Sequence, residues 1–426
     1  MADISTFNAA LKEDYGDLLE QLSSTTVLVA QLEKKSDTAD GKRALHALHV
    51  GRNGGIGGAE TGANLPTPGQ QAYVNSYIPL RKRYAAIQLE RQLFKITDTS
   101  AGAFADAVEA EMKGVKKDVR TDEGRQAYGT SDGVLASTAA AGPSTTVTLA
   151  TTTSATQLRQ LREFAGAVGQ GRLIDIGTVA APTGVASDRT LLSVDVSAKT
   201  IVISGAAVTT AATDRIFWAN QGGASSASNL QNDGQIELTG LQTLIGTGNV
   251  HGVNATTYPM FQSYVSSNGG TNRAVSESLI NTALFNVETN SDGAVDLLIS
   301  NFGVFNAVAA DMRAMRRNND TVALKGGFTG VAYSIPGQGQ NDGSTTRSIV
   351  WDRDCPNNTL FGVSTTDIIN YEAAPWGWLD ETGSIWKQAT NSTGRLDAYV
   401  ADMARYHDFA ITRRNSQFKI SDLSEA

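Results

Sequence analysis

The feature that most constrains this chain is residues 51–69. Gly51, Gly54, Gly55, Gly57, Gly58 and Gly62 are followed by Pro66 and Pro68, with few side chains large enough to pack. Glycine leaves the backbone free and proline fixes it without a donor, so such a run neither propagates a helix nor fills a core. Residues 44–50 before it are extended. After it, apolar residues resume at Tyr73 and Val74 and continue through Tyr77, Ile78, Leu80, Tyr84, Ile87 and Leu89. The pattern predicts a long hairpin with a Gly/Pro tip. A projection without a core of its own gains its contacts from another chain.

Helical patterns flank this hairpin. Phe7, Leu11, Tyr15, Leu18 and Leu22 are spaced by steps of four, four, three and four, one face of an amphipathic arm that needs a surface to lie against. Phe104, Val108, Met112, Val115 and Val119 repeat the same steps. Asp106, Glu109 and Glu111 come early there, and Lys113, Lys116, Lys117 and Arg120 late, which complements a helix dipole and predicts one long helix.

Residues 137–233 change texture to Thr, Ser, Ala and Val, with strand-like runs at 172–179, 191–196 and 200–204. The last two flank Ser197, Ala198 and Lys199 as a hairpin would, and the block reads as a small β-rich inserted domain. Beyond Gln235 helix and strand mix. Phe305, Val308, Met312 and Met315 keep helical spacing, residues 348–363 read as strands around Pro356, Asn357 and Asn358, and residues 396–420 alternate. No internal repeat is visible.

At 426 residues the chain exceeds what one hydrophobic core supports, so two or three compact units with extended arms are expected. A net charge of -8 argues against a protein whose main task is gripping nucleic acid, which needs a dense cationic field. The single cysteine, Cys355, forms no internal disulfide, and the start of the sequence lacks a signal-peptide pattern, so synthesis in a reducing cytoplasm is expected. No apolar run approaches the ~20 residues of a membrane helix.

Patterns that carry chemistry are weak throughout. The Gly-rich run has no Gly-Lys-Ser/Thr after it, so it does not read as a phosphate cradle. Glu288, Asn290, Asp292 and Gly293 copy the first half of a calcium loop, but Ile299 stands where the bidentate Glu belongs. His46 and His49 point to opposite faces of an extended segment. Cys355 has no nearby activating His and reads as structural. Trp376, Trp378 and Trp386, grouped around Asp380, Glu381 and Gly383, read as a hairpin packed on a core in preference to a ligand-stacking platform. The basic clusters Arg81/Lys82/Arg83, Arg313/Arg316/Arg317 and Arg413/Arg414 suit acidic arms of neighbouring chains, nucleic acid, or ordinary surface ion pairs. No catalytic, metal or cofactor site is expected.

The order of arm, Gly/Pro-tipped hairpin, single long helix and mixed remainder resembles the major capsid proteins of tailed bacteriophages, whose fold is named for phage Hong Kong 97. His49, Val50, Gly51, Arg52, Asn53, Gly54 and Gly55 look like that family's loop. Trp351, Asp352, Arg353, Asp354, Cys355, Pro356, Asn357, Asn358, Thr359, Leu360 and Phe361 look like its axial-domain strand and turn. Residues 397–411 resemble its closing peripheral strand, with Arg413, Arg414 and Asn415 beyond.

The resemblance implies an α+β fold in seven parts. These are an N-terminal arm (1–40), an extended loop (41–96), the spine helix of a peripheral domain (97–136), the inserted β-rich domain (137–233), the peripheral domain continued (234–290), an axial domain (291–394) and a return to the peripheral domain (395–426). It also implies a homo-oligomeric shell of pentamers and hexamers, built in the bacterial cytoplasm and carried in the virion. The shell encloses double-stranded DNA without specific binding, with a portal and a decoration protein as further partners. Candidate inter-subunit contacts are Phe7, Leu11, Arg52, Glu60, Arg81, Lys82 and Arg83.

Two departures from the family matter. Some members weld their shells through a loop lysine, whereas none occurs here between Lys42 and Lys82, so a non-covalent shell is expected. Some carry a long N-terminal scaffolding segment, whereas this sequence begins almost at its arm, so a separate scaffolding protein is expected. The competing readings are another phage structural protein, a tail-tube or decoration subunit, and an enzyme or carbohydrate-binding module built on the β-rich block with the tryptophans as a stacking surface.

Overall fold

A computed structural model describes residues 27–35, 43–62, 64–91, 101–222, 236–291, 293–314, 321–323, 329–334, 346–379, 385–391 and 394–425. The arm pattern at Phe7, Leu11, Tyr15, Leu18 and Leu22 lies outside them. The first described element is a short helix, Val27–Gln31, whose Leu28 is buried, as is Leu32 just beyond it.

The expected hairpin is present. Strand Arg43–Gly51 pairs antiparallel with Ala72–Pro79, from Arg43 opposite Pro79 to Gly51 opposite Ala72. One expectation is corrected. The returning limb does not continue through Tyr84, Ile87 and Leu89, because the chain turns at Leu80 and strand Arg81–Glu90 enters a different sheet. The long helix spans Ala101–Ala127, further than its charge gradient suggested, and ends on a buried turn at Arg125, Gln126 and Ala127.

That second sheet has five strands. Ile368–Trp378 and Trp386–Asn391 lie end to end along one edge of Gly394–Ile411, so residues 368–411 form one long interrupted hairpin. Arg81–Glu90 takes the other edge of Gly394–Ile411, and Glu33–Lys35 pairs parallel with Ile368–Trp378. The three tryptophans lie on this hairpin, all half-buried. Strands Ile368–Trp378 and Trp386–Asn391 thus share a sheet with Gly394–Ile411, across the boundary expected at 394/395.

The other large sheet has seven strands around Leu297–Ser300, all four of whose residues are buried, as in a strand covered on both faces. It pairs parallel with Thr346–Trp351 and antiparallel with Leu360–Val363. Phe418–Ile420 joins it beside Leu360–Val363, so residues 395–426, expected as one unit, divide between the two sheets. Close packing fixes that position: a Cβ at Gly362 would sit 2.0 Å from the Phe418 ring. Helices Glu277–Asn290 and Phe302–Ala314 cover the sheet through Ile280, Leu284, Val304 and Val308. The expected boundary at 290/291 would therefore separate a helix from the sheet it packs on.

Between the two sheets lies a core that joins Leu28, Leu32, Leu48, Tyr128, Leu297, Val350, Phe361, Ile368 and Phe409. The inserted block is a separate β-rich unit with its own core, including Ile174, Ile176, Leu191, Ile201, Ile216 and Trp218. Its Asp195–Thr200 turn forms as the sequence indicates. Asp195 Oδ1 accepts from the Ser197 and Ala198 nitrogens, each at 2.9 Å, and Lys199 takes φ +49°.

Candidate assembly elements

The hairpin divides into a seated root and an exposed tip. Ala44 and Ile78 pack with Ile369, Tyr371 and Ala410, Leu48 enters the central core, and the Tyr77 nitrogen donates to the His251 carbonyl at 2.8 Å. Beyond Gly51 the strands part. The neck is closed by backbone and by the Asn53 side chain: a Cβ at Gly55 would meet the Gly69 nitrogen at 2.8 Å, the Thr67 carbonyl at 2.9 Å and Asn53 Oδ1 at 3.0 Å. Distal to that neck, Ile56 and Leu65 are 87% and 84% exposed, and Arg52 and Glu60 are exposed beside them. Apolar side chains so fully hydrated stay there only where a partner covers them or where no core is within reach.

The root is held by charges that sequence reading assigned elsewhere. Arg81 and Arg83 are buried, not presented to a neighbour. Arg81 Nε lies 3.4 Å from Asp408, and Arg83 Nη2 donates to Asp122 at 2.6 Å. Alternation along Arg81–Glu90 sends both inward and leaves Lys82 exposed. Asp122 also accepts from Arg125 at 3.1 Å, from Arg172 at 3.3 Å and from Gln126 at 2.8 Å. Burial by itself raises the Asp122 pKa, but Arg172, Arg125 and Arg83 override it and hold the carboxyl well below the usual range. Arg125 reaches on to Glu237, and the Gln126 side chain accepts from the Leu238 nitrogen at 3.1 Å.

One residue along, Glu123 accepts from Arg405 at 3.0 Å and from Trp376 Nε1 at 3.1 Å, with His407 Nε2 at 3.2 Å. Tyr128 donates to Asp352 at 3.0 Å in the other sheet's turn. The end of the long helix thus ties together the hairpin's exit strand, the five-stranded sheet, the inserted unit and the seven-stranded sheet. Sequence reading missed this hub. Its one local signal is Thr121-Asp122-Glu123-Gly124-Arg125-Gln126, where acids stand at the helix end that a dipole disfavours.

The inserted unit docks by polar contacts. Arg172 stacks 4.4 Å from the Trp218 ring centre while reaching Asp122. Arg159 pairs with Asp354, and the Thr156 nitrogen donates to Asn357 Oδ1 at 3.2 Å.

Among the other sequence candidates, Phe7 and Leu11 lie outside the described residues, as do Arg316, Arg317 and the Arg313 side chain. Arg413 is exposed, but Arg414 is buried among the carbonyls of Thr243, Leu244 and Gly248, and desolvation lowers its pKa to about 10. Cys355 is buried and its thiol is pushed up by burial and by Asp352 and Asp354, as a structural cysteine would be. Ile299 is a buried strand residue, not a cation ligand. Among the described residues no cluster of three or more His, Cys, Asp or Glu is placed to hold a metal, and no helix is long and apolar enough to cross a membrane.

Comparison with known proteins gives a fold and no close sequence relative. No family profile matches the chain, and no curated protein resembles it in sequence. The cyanophage A-1(L) capsid subunit superposes at TM-score 0.52 with 9% identity, covering 95% of this chain and 96% of that one. The capsid of an empty GTA particle superposes at TM-score 0.46 and 9% identity, covering 95% and 92%. The SrpI encapsulin of Synechococcus elongatus does so at 0.42 and 8% identity, covering 100% and 96%. The chain has the α+β fold of a phage capsid subunit, at an identity that establishes the fold alone.

Proposed function

We propose that this chain is the major capsid protein of a tailed phage, assembling into an icosahedral shell around double-stranded DNA. The observation that carries this reading is the two-part hairpin on a capsid-subunit fold. Its root is fixed in the body and its tip presents hydrated Ile56 and Leu65 that no described residue covers. In a shell of pentamers and hexamers that tip lies over a neighbour, and many modest contacts of this kind sum to a stable container while each alone stays reversible. Arg52, Glu60 and Lys82 are the exposed candidates for such contacts, and Phe7 and Leu11 of the arm pattern are further candidates. The acidic net charge suits a wall that encloses DNA without gripping it. The role is structural, not enzymatic. Such a shell takes a portal and a decoration protein as further partners, and the protein is carried in the virion after assembly in the host cytoplasm.

Negative-stain microscopy of the chain co-expressed with its neighbouring genes tests the reading: closed shells are expected, and a chain that stays monomeric at high concentration overturns it. With no lysine in the loop, boiling the shells in detergent releases a single monomer band, and a ladder refutes the non-covalent wall.

A further inference from the structure

The chain contains two Asn-Gly pairs, Asn53-Gly54 at the hairpin neck and Asn268-Gly269 near the chain's end in space, and the fold treats them oppositely. An Asn side chain preceding a glycine is open to attack by the next backbone nitrogen, because no Cβ shields that nitrogen and the backbone turns freely. At Asn268 every participant is held. Its nitrogen donates to Asp422 Oδ2 at 2.7 Å, its side-chain amide to the Thr271 carbonyl at 2.7 Å, and the Gly269 nitrogen to Ser267 Oγ at 3.3 Å. Gly270 completes the clamp on Asp422 at 3.1 Å.

At Asn53 the arrangement is reversed. Its Oδ1 accepts from the Gly55 nitrogen at 2.7 Å. The ring closed by that bond contains both the Asn53 amide carbon and the Gly54 nitrogen, so the two reacting atoms are held within one turn. The bond also draws electron density from the amide carbon. Gly54 is exposed, its nitrogen has no hydrogen-bond partner among the described residues, and nothing lies within 4 Å of where its Cβ would be.

We propose that Asn53 is a site of spontaneous, self-catalysed deamidation in the folded protein and that Asn268 is protected from it. The Gly54 nitrogen gives its proton to solvent base and bonds to the Asn53 side-chain carbon. The C–N bond to the side-chain nitrogen breaks, and ammonia leaves with a proton from solvent. Water then opens the five-membered imide at either carbonyl, giving aspartate or isoaspartate. No oxidant or enzyme enters.

The product matters because of where it forms. A carboxylate replaces an amide beside Arg52, and the isoaspartyl form adds a carbon to the backbone at the neck. There a Cβ on Gly69 would already sit 2.4 Å from Asn53 Oδ1. The inference stands on the hairpin geometry and not on the shell assignment. The tip of an ageing subunit changes charge and shape whatever it contacts.

Incubation of the purified full-length chain at mildly alkaline pH, with peptide mapping and isoaspartate detection afterwards, tests it. In the folded chain Asn53 converts and Asn268 does not, whereas in guanidinium both convert. Gly54→Ala, which meets no neighbour, slows conversion at Asn53 several-fold. Asp422→Ala releases the clamp and lets Asn268 convert in the folded protein. An Asn53 that keeps its amide while the denatured chain converts, or equal rates at the two sites in the folded chain, overturns the proposal.

Discussion

The root and the tip of the hairpin are built from similar residue types and behave oppositely. At the root, Arg81 and Arg83 lie buried against Asp408 and Asp122. At the tip, Arg52 and Glu60 stay hydrated beside Ile56 and Leu65. The difference is one of surroundings. A buried ion pair is a poor source of net stability but a strong constraint, because breaking it strands a charge in a low-dielectric interior. At the tip the large apolar side chains Ile56 and Leu65 bury little surface against the described residues. The root therefore fixes where the hairpin leaves the body, and the tip remains available for a neighbour.

The sharpest test of the root is Asp122→Ala, which leaves Arg83, Arg125 and Arg172 without their shared carboxylate. A loss of about 3–5 kcal/mol is expected in guanidinium unfolding of the unassembled subunit. A loss under about 1 kcal/mol would mean that the hub is decorative.

A second test uses acid. His251 is fully buried beside Arg81 and Arg414, and burial first, then those cations, lower its pKa to about 3. The unfolded chain takes up this proton below about pH 6.5, the folded chain only near 3. The stability is therefore complete above the unfolded value and is lost progressively as pH falls between the two. By pH 5 this one group removes about 2 kcal/mol. His251→Asn tolerates the φ of +50° at this position and does not titrate, so it should flatten the fall in urea midpoint between pH 7 and pH 5. An unchanged fall breaks the link between His251 and the root.

Tyr128→Phe removes the hydroxyl that donates to Asp352 and should cost about 1–2 kcal/mol by chemical denaturation. The tip stands at the other extreme. Ile56→Asp combined with Leu65→Asp should shift subunit stability by less than about 0.5 kcal/mol while reducing shell yield in the microscopy assay. A destabilised subunit would mean that the tip packs at home.

Local interactions were legible and distant ones were not. The long helix, the hairpin at residues 43–79, the Asp195–Thr200 turn and the β-rich block are set by periodicity and by glycine, proline and Asx chemistry, all readable within a few residues. The hub escaped notice because Asp122, Arg172, Glu237 and Arg405 are far apart in sequence and no local pattern marks a charge that will be buried. The same limit explains the misassigned Arg81, Arg83 and Arg414. A cluster of cations looks alike whether the fold turns it outward or seats it among carboxylates and carbonyls.

By itself, then, the sequence determined that a Gly/Pro-tipped hairpin and a long helix would form, since backbone freedom and side-chain period act over a single turn or strand. Only the tertiary structure decided that strand Arg81–Glu90 leaves the hairpin for the sheet of Gly394–Ile411, that Phe418–Ile420 closes the seven-stranded sheet, and which arginines are buried. Those outcomes depend on pairing and desolvation between segments up to hundreds of residues apart, and such energies exist only once the segments have met.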